Sequence, residues 1–473
     1  MLWDIETITA GGWLHDGRSN RRILYRELGQ TIEAVEKVIG ARDKLLVALV
    51  ADNSPACIAC YLAALRCGHA VLLLNAGGDA SLREGLLRRY LPEVMLLPRW
   101  TALPKFYKSV SVLGGFVCCF LEHSAPGPIH PDLAVLLTSS GTTGNPKLIR
   151  LSHGNLQSNA ASIASYLGID AAETAVTSLP ISYSYGLSVV NSHLLRGGNL
   201  VCTDESVVSG RFWQLFRECG CTSFAGVPHS YLMLERLRLD RMSLPTLRTL
   251  TQAGGRLAKD KVEHFSQLAA RIGCRFFVMY GQTEATARIC YVPWERLAEK
   301  AGSVGIAIPG GSIRIVGEGG HSLEPRCEGE VVYEGPNVMM GYAENRDDLA
   351  IGDQLCGVLQ TGDIGYLDDD GFLYITGRLN RFVKVFGHRV NLDDVERMLE
   401  DALSVPVACV GSDDHLFVLL ESSDDQLRHE ARQRIASLYH IHHSALEVQL
   451  LPSIPVTAAG KKDYPAMRRE LKL

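Results

Sequence analysis

The 473-residue chain predicts an α/β protein. It has a large N-terminal domain of helix-covered sheets with a small β subdomain, followed by a small α+β C-terminal domain. Three observations lead there. From residue 45 to 97, and again from 133 to about 280, apolar runs of strand length alternate with helical patterns, which is the mark of parallel sheets covered by helices. From 304 to 376 short strands alternate with glycine-rich turns (PGGSIRIVGEGG, EGEVVYEG, GYLDDDGFLYITG), which reads as antiparallel hairpins. Beyond Asn380 only a short run remains, mixing strand and helix patterns. A composition of 47% hydrophobic and 21% charged residues fits a globular chain, and the length suffices for two or three domains.

The elements follow in order. LLVALVA (45–51), AVLLLN (70–75) and VMLL (94–97) read as buried strands, separated by helices over 54–66 and 81–89. LAVLLT (133–138) reads as another buried strand, and a helical pattern begins at His153. In the C-terminal run FVKVFGHRV precedes a helix from Asn391, an N-cap residue with Asp394 at the capping-box position. Strands near 405–410 and 415–421 follow, then a helix with an apolar stripe at Leu427, Ala431, Ile435 and Leu438. Cys57 and Cys60 form a C-x-x-C within an apolar helical run with no second pair nearby, so core packing is expected. Asp368, Asp369 and Asp370 read as a solvated hairpin turn, because a calcium loop needs a longer spaced ligand set.

Several function classes are disfavoured. A net charge of −5 gives no general attraction to nucleic acid or anionic membrane. The N-terminus is acidic and lacks the pattern of a signal peptide. The longest apolar stretch, near 56–74, is broken by Arg66 and His69, so no membrane span is expected. Thirteen scattered cysteines, an odd number, suit reduced thiols and a cytoplasmic location.

The chemistry concentrates in loops. TSSGTTGNPK (138–147) contributes Thr138, Ser139, Ser140, Gly141, Thr142, Thr143, Gly144 and Lys147. Glycines let backbone approach a ligand, free N–H groups wrap an anion, hydroxyls donate, and the lysine supplies a point charge. A strand, a polyphosphate-cradling loop and a helix is the reading. The spacing is not that of a Walker A loop, since Asn145 and Pro146 separate Gly144 from Lys147 and Leu148 follows. Glu284, in a loop after the apolar strand FFVMY, is a candidate Mg²⁺ ligand beside the hydroxyl of Thr283. Asp363, after Gly362, is an acceptor suited to ribose hydroxyls or to capping its own turn.

Taken together, TSSGTTGNPK, YGQTEAT (280–286), TGDIGYLDDDGFLYITGR (361–378), FVKVFGHRVN (382–391) and PVTAAGKKDY (455–464) resemble the motifs of the adenylate-forming superfamily, in that family's order. The superfamily includes acyl-CoA synthetases, luciferases and nonribosomal adenylation domains. The resemblance spans nearly the whole chain. It implies ATP-dependent activation of a carboxylic acid to an acyl-adenylate with loss of pyrophosphate. Acyl transfer to a phosphopantetheine thiol then follows, on CoA or on an acyl or peptidyl carrier protein. It also implies a set of roles. The loop and Lys147 hold the β,γ-phosphates. Tyr280, Gly281, Gln282 and Thr283 meet adenine and α-phosphate, and Glu284 holds Mg²⁺. Ala253, Gly254 and Gly255 lie along the adenine, although a plain strand-to-helix turn is the competing reading. Asp363 and Arg378 form the ribose pair. Lys461, with Lys462 as the alternative, is the lysine that a mobile C-terminal domain (380–473) brings to the substrate carboxylate. Asn380 is the hinge of that domain, with Lys384 and Gly387 on the loop serving the thiol step; residues 1–379 form the ATP and acyl domain.

The acyl pocket is implied to include Tyr183, Tyr185, Gly186, Val227 and Gly281. Residues 179–190 contain no acid, and amino-acid-activating relatives place an aspartate in the slot read here as Gly186. Burying an unpaired α-ammonium costs several kcal/mol, so a carboxylic acid without an α-amino group is expected. Arg288 either reaches the pocket floor, to pair with a second polar or anionic group, or forms a structural salt bridge. A luciferase-like oxygenase and a non-catalytic nucleotide-binding homologue remain the other classes.

Overall fold

The structure is a computed structural model. It describes residues 1–473 except 6–10, 41–42, 105, 114, 123–126, 139–146, 318, 380, 386–387, 413–414, 440–444, 458–460 and 472. Ser139, Ser140, Gly141, Thr142, Thr143, Gly144, Asn380 and Gly387 therefore lie outside the described residues, as does the side chain of Lys384.

The chain divides into two compact units. The first draws on the residues before 139, on 147–312 and on 334–359; the second on 313–333 and 360–473. This division falls at different residues from the expected boundary after 379. The strands Ser312–Val316, Gly329–Glu334, Val358–Leu367 and Leu373–Arg378 make a four-stranded sheet that belongs largely to the second unit.

Two sheets form the first unit. In one, the neighbours Arg275–Tyr280, Thr249–Gln252, Ser223–Gly226, Thr174–Val176, Asn199–Cys202 and Trp13–Asp16 run parallel. In the other, Leu133–Thr138, Ala70–Asn75, Leu46–Ala51 and Val94–Pro98 run parallel. All of these except Trp13–Asp16 fall in the ranges where alternation with helices is visible in the sequence. Antiparallel strands finish both sheets, at Arg21–Leu24 and Cys290–Tyr291 in one and at Phe116–Leu121 and Leu148–Ser152 in the other. The helix Pro55–Arg66 is buried almost all round and carries Cys57 and Cys60 into the core, where burial pushes both thiols up.

The expected strand–loop–helix order needs correction. The strand Leu148–Ser152 intervenes before the helix His153–Leu167 and pairs antiparallel with Leu133–Thr138, setting Thr138 opposite Leu148. The loop that ends at Lys147 thus joins two strands of a hairpin. Arg150 hid this strand, because an arginine inside a five-residue run reads as exposed. It is fully buried, and its guanidinium binds the carbonyls of Met340, Tyr342, Ile351 and Gly352 and the Gln354 amide oxygen. Those contacts hold Gly341–Ala343 against Leu148–Ser152 as a further strand, so this segment of the expected hairpin region belongs to the large sheet. Ser152 then caps the helix by accepting from Asn155 N at 3.0 Å.

In the second unit, Phe382–Val385 pairs with His388–Asn391. Asn391 caps the helix Leu392–Leu403 by accepting from Asp393 N at 3.0 Å. Val407–Ser412, His415–Glu421 and Leu446–Leu451 form a sheet, and the last of these strands is absent from the sequence-based expectation. On the helix Asp425–Tyr439, Ala431 and Ile435 are buried as expected, but Leu438 is 59% exposed, so the last turn overruns the surface it covers. Asp368 closes its hairpin by accepting from the backbone N of Asp370 and Phe372, and Asp369 pairs with Arg326, which fits the turn reading. Among the described residues no helix is long and apolar enough to cross a membrane.

Candidate active site

Lys147 is exposed just before the strand Leu148–Ser152, and its Nζ lies 2.6 Å from Glu344 Oε1 and 5.9 Å from the centre of the Tyr342 ring. The Tyr342 hydroxyl donates to Glu284 Oε1 at 2.9 Å. One tyrosine therefore joins the candidate phosphate lysine to the candidate magnesium carboxylate, across a sequence separation that no local pattern reveals. Burial, with the charge of Glu284, pushes this phenol well above its ordinary range, so it stays a donor.

Glu284 sits on a single 3₁₀ turn, Thr283–Ala285, after the strand Arg275–Tyr280. The turn is pinned from behind by Asn337, which is 1% exposed. Its Nδ2 donates at 2.8 Å to the carbonyls of both Ala285 and Arg288, and its own carbonyl accepts from Thr286 Oγ1 at 2.7 Å. Met339 N adds a bond to Glu284 O. Thr283 Oγ1 lies 3.1 Å from Ser184 Oγ at the first turn of the helix Ser184–Leu195. Gly281 is sterically required, since a Cβ there would stand 2.1 Å from Ala287 O. Glu284 Oε2 has no protein partner among the described residues, and those residues contain no cluster of three potential metal ligands. A lone carboxylate fits Mg²⁺, which takes one or two carboxylates with phosphate oxygens and water, better than an ion needing an all-protein cage.

The adenine and acyl candidates adjoin. Gly254 has φ +85°, and a Cβ on it would lie 2.6 Å from Tyr183 Oη and 3.1 Å from Val227 Cγ1. Tyr183, Tyr185, Val227 and Ala253 share one apolar cluster with Met279 and Phe277. Tyr185 is locked by bonds from its hydroxyl to Thr251 O (3.0 Å) and Thr251 Oγ1 (2.9 Å). Gln252 Nε2 donates to Gly255 O, shaping the turn after the strand Thr249–Gln252. Gly186 behaves differently from its expected role. A Cβ there would sit 2.1 Å from Pro180 O, so the position faces backbone and has no room for an aspartate. Its lack of charge is a packing requirement and carries no information about the substrate.

Arg288 is 2% exposed, and its guanidinium lies 4.0 Å from the centre of the Tyr185 ring. Nη1 donates to Ala287 O at 3.2 Å, the guanidinium also meets the Tyr166 hydroxyl, and the buried Nε has no acceptor. Among the described residues it forms no ion pair, which removes the structural salt bridge as an explanation of this residue. Burying a lone guanidinium costs several kcal/mol, of which stacking on a tyrosine returns about 2 kcal/mol. Arg288 helps line a narrow cavity of about 30 Å³ with Ile163, Tyr185, Ser188, Val189 and Met279. That volume holds a water or two, so an acyl group must widen it; Met279 is the most adaptable wall.

In the second unit, Asp363 and Arg378 stand opposite each other in an antiparallel pair, with Nε 2.8 Å from Oδ1. Asp363 is 2% exposed, and Leu379 N bonds Gly362 O at the turn. The two tail lysines separate clearly. Lys462 Nζ binds Glu396 Oε2 at 2.7 Å, Glu400 Oε1 at 2.9 Å and the Val407 carbonyl, while Tyr464 and Arg381 also bind Glu396. Lys462 is thereby committed to the interior of its own unit. Lys461 is tied through its backbone to Thr457, with its carbonyl accepting from Thr457 N and its N–H donating to Thr457 Oγ1. Sequence reasoning missed Tyr342, Glu344, Asn337 and Ser184; a GY dipeptide ahead of acidic residues was the only local trace of the first two.

Comparison with known proteins gives relatives of the whole chain. An indoleacetate–CoA ligase of Aromatoleum aromaticum is 27% identical over 93% of this chain and 92% of its own length. A 2-succinylbenzoate–CoA ligase of Bacillus velezensis is 27% identical over 92% of this chain and 91% of its own. The fold is shared with the o-succinylbenzoate CoA synthetase of Bacillus subtilis in complex with its acyl-adenylate OSB-AMP. That match has a TM-score of 0.80 and 22% identity and covers 100% of this chain and 97% of the other. The family model described as AMP-binding enzyme matches residues 13–343, and the chain therefore belongs to the AMP-binding enzyme family.

Proposed function

We propose that this chain is an AMP-forming acid–thiol ligase. An oxygen of a carboxylic acid displaces pyrophosphate from the α-phosphorus of ATP, and a phosphopantetheine thiol then takes the acyl group and releases AMP. The observation that carries this reading is the meeting of Lys147 and Glu284 at Tyr342, which gathers a cation for phosphate oxygens and a carboxylate for a magnesium ion at one place. Bound magnesium supplies charge neutralisation to the triphosphate. Thr283, oriented by Ser184, offers its hydroxyl to the α-phosphate; Tyr280 and the Ala253–Gly255 turn receive adenine; Asp363 and Arg378 receive ribose. Lys461 serves the carboxylate during adenylation, since Lys462 is already committed to Glu396 and Glu400.

The acid lacks an α-amino group. Support comes from the buried cation at 288, which repels an ammonium group. The acceptor is CoA, as in the relatives' names; a carrier protein is the competing acceptor. Asn380 is the hinge between half-reactions, and Lys384 and Gly387 serve thioester formation. All thirteen cysteines are free, which suits a reducing cytoplasm. The deciding assay is acid-dependent pyrophosphate exchange across an acid panel, followed by product analysis with CoA or a holo-carrier protein. Exchange that appears with no acid, or only with α-amino acids, overturns the reading. Asn380→Pro is expected to spare exchange and slow thioester formation; equal loss of both removes the hinge role.

A further inference from the structure

We infer that the acid activated here carries a second anionic group, a distal carboxylate that pairs with Arg288. The inference rests on the ligase reading and names the substrate class of that site. Arg288 is buried and forms no ion pair among the described residues, and an arginine keeps its charge at any relevant pH. The polar groups it meets, the Ala287 carbonyl and the Tyr166 hydroxyl, are neutral; its Nε has no acceptor, and its flat face is occupied by Tyr185. The edge of the guanidinium that carries Nε is what a carboxylate binds. A trapped water could satisfy the Nε–H group but leaves the charge uncompensated. The same cavity is lined by His193, whose Nδ1 is bonded to Val189 O and whose buried Nε2 has no partner. The cavity is otherwise largely apolar, and Glu173, which also lines it, accepts from Thr222 Oγ1, so Arg288 is the group there that an anionic end of the acid would meet.

The arrangement also relates the proposed distal group to the adenylation side. Ser184 touches Thr283, on the proposed adenylation side, and the next residue, Tyr185, carries Arg288 on its ring. Ser184 and Tyr185 are neighbours in the first turn of one helix, so both ends of the acid are placed beside that turn. The reacting carboxylate is adenylated while the distal one remains ionised against Arg288.

The test compares dicarboxylic acids with their half-amides, which keep the size and remove the distal charge. In pyrophosphate exchange the dicarboxylate is expected to exceed its half-amide in kcat/KM on the order of 100-fold, and Arg288→Met is expected to erase that difference. Thermal melting of the protein without ATP supplies a second readout. A lone buried cation predicts that Arg288→Met melts no lower than the parent chain, and that a dicarboxylate raises the melting temperature of the parent only. Equal kcat/KM for the pair, or a lower melting temperature for Arg288→Met with the preference retained, overturns the inference while leaving the ligase reading intact. Failure of every acid in exchange, with no dicarboxylate-dependent melting shift, overturns both.

Discussion

Replacing either of two adjacent lysines should separate stability from catalysis. Lys462 Nζ donates to Glu396 and Glu400 at 2.7 and 2.9 Å, and Glu396 is 5% exposed. Breaking a buried ion pair from one side costs about 3–5 kcal/mol. Here Glu396 keeps Arg381, the Tyr464 hydroxyl and the Cys409 amide, so Lys462→Met falls at about 2–3 kcal/mol. For a unit of about 140 residues, each kcal/mol moves the midpoint by about 4 °C, so its transition should drop by about 8–12 °C. Lys461→Ala should shift the same transition by about 2 °C or less, yet nearly abolish acid-dependent pyrophosphate exchange. Calorimetry and exchange on both variants, assayed below either transition, decide the matter. If the Lys461 variant melts like the Lys462 variant, or if Lys462→Met is neutral, the division of roles is wrong. Alkaline pH gives a related check. Burial lowers the Lys462 pKa, but Glu396 and Glu400 outweigh it and leave the ammonium raised. Its contribution is therefore fully present below the ordinary lysine value of 10.5 and is lost as pH climbs through the raised one.

Three further outcomes follow from the site geometry. Gly254→Ala places a Cβ 2.6 Å from Tyr183 Oη at φ +85°; it should lower kcat/KM for the acid by about 10-fold or more, whereas Gly210→Ala, with open space around it, should not. Tyr342→Phe removes the bond to Glu284 and should raise the Mg²⁺ concentration for half-maximal exchange by about 3–10-fold, an effect absent if the tyrosine only fills space. Asn337→Ala leaves two buried carbonyls, Ala285 O and Arg288 O, without their donor. It should destabilise the first unit by about 2–4 kcal/mol and slow exchange at temperatures where the chain stays folded; unchanged denaturation would contradict the pinning role.

Much of the catalytic chemistry is legible in the sequence, because it lies in contiguous loops. YGQTEAT announces a carboxylate and hydroxyl on one turn, and the structure puts Thr283 and Glu284 there together. Asp363 and Arg378 are fifteen positions apart and are paired in the sequence only through the family resemblance; the hairpin sets them opposite each other. Reading fails where a residue's environment contradicts its type. Arg150 looks like a surface residue and is buried against four carbonyls; Gly186 looks like an empty pocket slot and is packed on Pro180.

The sequence alone determined the parallel cores, the order of the motifs and the choice of candidate side chains, because strand alternation and loop chemistry are properties of neighbours along the chain. Only the tertiary structure decided that Tyr342 links Lys147 to Glu284, that Lys462 is an internal anchor, and that Arg288 has a wall of tyrosine and no counter-ion among the described residues. Partnership and burial depend on residues brought close by folding, often tens or hundreds of positions away. A short motif does not encode the low-polarity surroundings that give a charge its cost or its use.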